Sequence, residues 1–142
     1  MAYATAQQMI DRFGANLLVA LTDRGAVATG IVDTAVVTKA LTDATEVIDG
    51  YLAAKYALPL VTVPGLVADL CQSIAIYKLH ITQPDEKIAR DYQDAQKSLR
   101  DIADGRLRIP AAGLDPVTVS GSGAQITDRA RDFTAETMKG FI

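Results

Sequence analysis

The sequence is short of the residue types that most often build covalent or metal-bound sites. Its 142 residues include one cysteine, one histidine and no tryptophan. A single cysteine excludes a disulfide framework within the chain, and no C-x-x-C pair offers the usual ligand spacing for zinc. The lone thiol indicates a reducing compartment, and a chain of this length buries enough surface to fold without a covalent or metal staple.

Long apolar runs and a one-sided charge balance are also missing. No run approaches the ~20 apolar residues that a membrane-spanning helix needs, and residues 1–13 have a polar, helical character unlike a signal peptide. The 14 basic and 17 acidic residues leave a formal net charge of −3. That balance disfavours a helix-turn-helix or other DNA-binding protein, which normally presents a basic patch. We expect neither a membrane partner nor specific DNA binding.

Helical periodicity dominates the first two thirds of the sequence. Thr5 and Gln8 have capping-box spacing at the start of a first helix, and Gly14 separates it from a second short one. The longest predicted helix begins after Asp33, whose carboxylate suits an N-cap. It is expected to run to the Leu58-Pro59 step, because a residue before proline is disfavoured in the α region.

Two more helices follow this proline. The first is expected from Pro64 to about Ile81, and apolar residues cover most of its circumference, which is typical of a central helix. The second is expected from Pro84 to Asp104, with Gly105 as its C-cap and a narrow apolar stripe. Its other faces carry charges at i,i+4 spacing, which indicate a solvated surface: Glu86–Arg90, Arg90–Asp94, Lys97–Asp101 and Arg100–Asp104.

The helical period is lost after Gly105. Residues 106–123 contain two prolines and the sequence S-G-S-G, whereas residues 128–142 regain large apolar side chains. We therefore predict an all-α fold, with a compact bundle of four to five helices in residues 1–105 and an extended C-terminal arm in residues 106–142. The alternative for the arm is a frayed tail. Its candidate docking residues, toward a partner or a neighbouring subunit, are Arg106, Arg108, Phe133, Met138 and Phe141.

No pattern in the sequence predicts catalysis, a cofactor site or a metal site. The loop at residues 23–32 lacks the alternating oxygen ligands of a calcium loop and is expected to be a plain connector. His80 ends a helix, Cys71 lies in an apolar helical run where it should be buried and inert, and Glu46 and Asp49 fall on the polar side of their helix. We expect no enzyme activity, because no nucleophile–base pair is visible.

Four stretches together resemble a known family. They are IDGYLAAKYALPL at residues 48–60, DLCQSIAIYKL at 69–79, DYQDAQKSLRDIADGRL at 91–107 and RDFTAETMKGF at 131–141. In order and spacing they resemble the small head–tail connector, or adaptor, proteins of Mu-like tailed phages and prophages. That family often has an acid-rich DRDGDG-like loop, where this sequence has DRGAVATG at residues 23–30.

The resemblance implies a structural virion protein of the neck, assembled in the cytoplasm of the host bacterium. Such connectors form a ring under the portal protein, of about twelve copies if the ring closes on the portal's symmetry. The ring extends the DNA channel, lets DNA pass without specific binding, and joins the head to a tail or stopper protein. The alternative is a small bacterial helical adaptor or protein-interaction module without a phage role.

Overall fold

The computed structural model describes residues 1–109, and residues 110–142 lie outside the described part. Five α-helices make up this part: α1 (Ala6–Phe13), α2 (Ala15–Thr22), α3 (Thr34–Leu52), α4 (Gly65–Leu79) and α5 (Glu86–Asp104). Residues 1–109 contain no strand, so the predicted all-α bundle is confirmed for them. Most of the predicted C-terminal arm falls outside the described residues, and the division of the chain after residue 105 stays a prediction.

Capping side chains and a glycine mark several helix starts and ends where the sequence predicts them. Thr5 and Gln8 form the complete capping box of α1. The Asp33 carboxylate accepts hydrogen bonds from the first free N–H groups of α3, at 2.9 and 3.3 Å. Gly105 is the left-handed C-cap of α5, with φ of +81°. Because these caps satisfy backbone groups that a helix end leaves unpaired, they define the ends of the long helices.

Three predicted helix ends are wrong. Helix α3 ends at Leu52 rather than at the proline step, and the chain then turns so that Tyr56 is buried. Helix α4 ends at Leu79, with His80 as its C-cap. Helix α5 begins at Glu86, after Asp85 as N-cap, so the preceding proline lies outside the helix.

Helix α4 is the centre of the bundle, as its apolar circumference predicts. It packs against both α3 and α5, while α1 contacts α3 and α4 and also packs against α2. Burial of a large apolar side chain contributes about 1.5–3 kcal/mol, so the fold is held mainly by this core. The largest fully buried side chains are Met9, Leu18, Val37, Leu41, Ile48, Leu52, Val67, Ile74, Ile76, Leu79, Leu99 and Ile102.

Two long-range hydrogen bonds show how the three long helices run relative to one another. Arg24, in the α2–α3 connector, donates to the carbonyl of Leu79 at the last residue of α4 (2.6 Å). The end of α4 therefore lies beside the start of α3. At the opposite end, the N–H of Ile109 after α5 donates to the hydroxyl of Tyr56 after α3 (3.3 Å). Helices α3 and α5 thus run in one direction and α4 in the other.

The N-terminal residues are tied to α3 by a buried tyrosine. Tyr3 is 6% exposed, its N–H donates to the Thr45 hydroxyl (3.1 Å), and its own hydroxyl donates to the Asp49 carboxylate. Burial, followed by the hydrogen bond to Asp49, raises the pKa of Tyr3. The prediction that Asp49 is a solvated surface acid is therefore wrong, because this carboxylate is the acceptor that holds Tyr3.

Candidate docking surfaces at the two ends of the bundle

The α2–α3 connector is held in a defined conformation by hydrogen bonds, although its sequence predicts a plain connector. The Asp23 carboxylate accepts hydrogen bonds from the N–H groups of Thr29 (2.8 Å) and Gly30 (2.9 Å) and from the Thr29 hydroxyl (3.3 Å). Gly30 has φ of +68°, a backbone conformation that favours glycine. Asp23, the first residue of this loop, therefore holds the loop in a closed conformation by binding its backbone N–H groups.

This connector exposes apolar side chains at one end of the bundle. Val27 is 77% exposed and Ile31 also faces solvent, and both line an open concavity of about 310 Å³. Ile81, two residues after α4 ends, is 75% exposed. The bond from Arg24 to the carbonyl of Leu79 brings this connector beside the end of α4. We name residues 23–33 and 80–85 the acidic end, since they carry Asp23, Asp33 and Asp85 against a single arginine.

The opposite end of the bundle also exposes apolar side chains. Val61 is 94% exposed, and Val63 and Leu107 are exposed as well. Residues 53–64, which connect α3 to α4, and residues 105–109, which follow α5, form this end. We name them the basic end, because their charged residues are Lys55, Arg106 and Arg108.

Two of the predicted docking residues lie at the basic end. Arg106 is exposed, and its guanidinium lies 3.6 Å from Asp101 and 3.9 Å from Asp104, so surrounding water weakens both ion pairs. Arg108 is exposed as well. The next residue, Ile109, is buried beside Tyr56. The other predicted docking residues lie outside the described residues: Phe133, Met138 and Phe141.

The two ends hold nearly all the exposed large apolar side chains of the described residues. Of the seven exposed large apolar residues, six lie in the acidic end or the basic end, and the other is Met1. Scattered exposed apolar residues are normal, whereas groups of them mark sites of interaction. Sequence analysis missed Val27, Ile31, Val61 and Val63. The available signal was that these β-branched residues stand outside any helical period.

The solvent-facing side of α5 is polar and carries two ion pairs. On α5, Glu86 pairs with Arg90 as predicted, while Lys87 pairs with Asp91 at 2.6 Å. In the described residues the other three predicted i,i+4 pairs of α5 do not come within 4.0 Å. Tyr77 and Tyr92 stack with ring centroids 3.9 Å apart, which joins α4 to α5 at the surface. The tyrosine stack joins two helices, whereas both ion pairs lie within α5.

The remaining reactive groups are enclosed or dispersed. Cys71 is buried, as predicted, and its burial raises the pKa of the thiol. Over residues 1–109, no three His, Cys, Asp or Glu side chains are grouped as metal ligands would be. No helix in the same span is both long and apolar enough to cross a membrane.

Residues 1–109 thus form a small helical bundle whose exposed apolar side chains are grouped mainly at its two ends. The chain's relatives are phage proteins: a family model described as Bacteriophage Mu, Gp36 matches residues 3–128. Gene product J of Escherichia phage Mu is 41% identical over 106 residues, which are 75% of this chain and 74% of that protein. The Mu-like prophage FluMu protein gp36 of Haemophilus influenzae is 34% identical over 110 residues, 78% of each chain.

The chain therefore belongs to the Bacteriophage Mu Gp36 family and is a phage-related protein. The resemblance to proteins of Mu-like phages and prophages, read from the sequence, is confirmed.

Proposed function

We propose that this protein is a structural component of the virion, a head–tail connector that forms a ring under the portal protein. The ring holds about twelve copies, matching the portal's symmetry. It extends the DNA channel without gripping DNA, and its other face receives the tail or a stopper protein. The proposed place of action is the virion neck, reached after assembly in the cytoplasm of the host bacterium, and the role is not enzymatic.

The observation that carries this proposal is the placement of exposed apolar groups at two opposite ends of a rigid bundle. Helix α3 has 19 residues, so the two ends are separated by about 28 Å at a rise of ~1.5 Å per residue. Two separate and chemically different surfaces allow one copy to contact two partners at once. A subunit of a ring must do this, because each copy has a neighbour on either side.

The charge of the protein supports the proposal that DNA passes through the channel without being bound tightly. Tight binding of DNA needs clustered Lys and Arg side chains that neutralise phosphates. Here the net charge is −3. The three cations of the basic end are accompanied by Asp101 and Asp104, near which Arg106 lies. These residues suit contact with a protein better than a long phosphate track.

The proposal is tested by the solution mass of the purified protein, alone and mixed with its cognate portal ring, using light scattering on a sizing column. We expect the chain to join the portal in near one-to-one subunit stoichiometry. A chain that stays near its monomer mass of 15.1 kDa in the mixture would contradict the connector role.

A truncation tests the part of this proposal that concerns the predicted docking arm. We propose that residues 128–142, with Phe133, Met138 and Phe141, contribute to docking on the portal or a neighbouring subunit. Removing them should leave the helical bundle folded, because residues 1–109 contain its whole described core. We expect the truncated chain to keep its circular dichroism spectrum and lose assembly, and retained assembly would refute the role of the arm.

A further inference from the structure

We propose that the acidic end of one copy docks on the basic end of the next, so that copies associate head to tail. This inference rests on the proposed ring and names the surfaces that join its neighbours. It assigns Arg106 and Arg108 to a contact between subunits.

The two ends are complementary in charge. The acidic end carries three aspartates and one arginine, and the basic end carries one lysine and two arginines, with Asp101 and Asp104 of α5 close to Arg106. Asp85 and Arg108 are both exposed, and the Asp85 side chain makes no capping hydrogen bond in its own helix. Opposite charges at the rim of a contact steer association and select the right partner.

The two ends are also matched in the apolar groups they expose. Val27, Ile31 and Ile81 stand at the acidic end, and the basic end has the same number of exposed apolar side chains, Val61, Val63 and Leu107. Removal of such groups from water drives most protein association. The Asp23 hydrogen bonds hold Val27 and Ile31 in a preformed loop, so little ordering is needed on docking.

A second copy fits these surfaces better in the head-to-tail arrangement than in a two-fold one. A two-fold dimer that joins the bundles end to end would place like ends together, acids against acids or cations against cations, which is unfavourable. Contact between unlike ends is heterologous, so each copy keeps one free end and can accept another copy. Repetition of such a contact gives a ring when the rotation closes.

The test uses two variants that each block one end. Val27→Asp places a charge in the acidic end, and Val61→Asp does so in the basic end. Both side chains are exposed, so both variants should fold, which circular dichroism checks. At high protein concentration the wild type should self-associate in sedimentation experiments, while each variant alone should stay near 15.1 kDa.

A mixture of the two variants gives the decisive result. The Val27→Asp chain keeps an intact basic end, and the Val61→Asp chain keeps an intact acidic end. We expect a one-to-one heterodimer of twice the 15.1 kDa monomer mass and nothing larger, because the other two ends are blocked. Lys97→Glu, on the exposed middle of α5, is the matched control and should assemble like the wild type.

Charge reversal supplies a second test that does not alter the apolar groups. Asp85→Arg or Arg108→Glu alone should weaken association by roughly tenfold, and the double variant should recover most of it. Absence of recovery would overturn the pairing of the acidic end with the basic end.

Each outcome distinguishes the contact from the connector role. A mixture that stays monomeric, or a wild type that does not self-associate, overturns the head-to-tail contact. If such a chain still binds the portal, the connector role stands without it. If the heterodimer forms but the wild type ignores the portal, the contact stands and the proposed connector role falls.

Discussion

Tyr3 gives the most direct test of how the N-terminal residues are held on the bundle. The change Tyr3→Phe keeps the ring in its pocket and removes only the hydroxyl that donates to Asp49. A hydrogen bond to a charged group contributes about 1.5–3 kcal/mol. The Asp49 carboxylate is only partly buried, so water compensates part of the loss. We therefore expect the free energy of unfolding to fall by about 1.5 kcal/mol at neutral pH, the lower limit of that range.

The same substitution should change the pH dependence of stability. Burial, and then Asp49, raise the pKa of Tyr3 above its ordinary value of 10.0. Because the folded pKa is raised, the contribution is fully present below pH ~10 and is lost as pH rises above it, since the unfolded phenol ionises first. The gap in stability between wild type and Tyr3→Phe should therefore shrink by about 1.4 kcal/mol per pH unit above pH ~10.

Urea titrations followed by circular dichroism at neutral pH and at several alkaline pH values measure both effects, and the chain has no tryptophan to report by fluorescence. Tyr92→Phe is the matched control, because its hydroxyl accepts only from Gln96 on the helix surface. We expect that control to cost less than about 0.5 kcal/mol. Equal losses for the two variants, or a gap that stays constant at alkaline pH, would refute the anchoring role of Tyr3.

Three further predictions concern caps and the buried thiol. Asp33→Ala should destabilise the protein by about 1 kcal/mol in urea titrations, because α3 loses its N-cap, and Asp33→Asn should recover most of this. Gly105→Ala should cost about 1–2 kcal/mol through its left-handed backbone, and a neutral effect in thermal melts would contradict the C-cap. Cys71 should resist thiol reagents in the folded protein and react once it is unfolded in urea, because burial raises its pKa; rapid labelling without denaturant would contradict its burial.

Local rules allowed most of the helices to be predicted from sequence. The capping box at Thr5, the N-cap at Asp33 and the C-cap at Gly105 each depend on residues within a few positions of one another. The apolar stripe of α5 is likewise predictable from its spacing, since Tyr92 stacks on Tyr77 and the other four stripe residues are buried: Ile88, Ala95, Leu99 and Ile102. Such features are determined by one helix and its caps, so tertiary context changes them little.

The remaining differences arise where tertiary contacts override local pattern. The helical period continues past Leu52, yet Tyr56 turns inward and accepts a hydrogen bond from Ile109, which lies 53 residues away in sequence. Ile81 continues the apolar pattern of α4, but the helix has already ended and its side chain is exposed. Asp49 has the position of a surface acid until Tyr3 packs against it. Sequence periodicity contains no information on such distant partners.

The exposed apolar residues at the two ends are separate from the buried core. Within residues 1–109, Val27, Ile31, Val61 and Val63 belong neither to the buried core nor to the apolar residues packed against it. Folding alone therefore places little demand on these positions, and polar residues there would leave the bundle stable. At ~25 cal/mol per Å² of apolar surface, leaving these groups in water forgoes a stabilisation that a partner surface would recover. In the proposed head-to-tail contact, these exposed groups are the ones that would join one copy to the next.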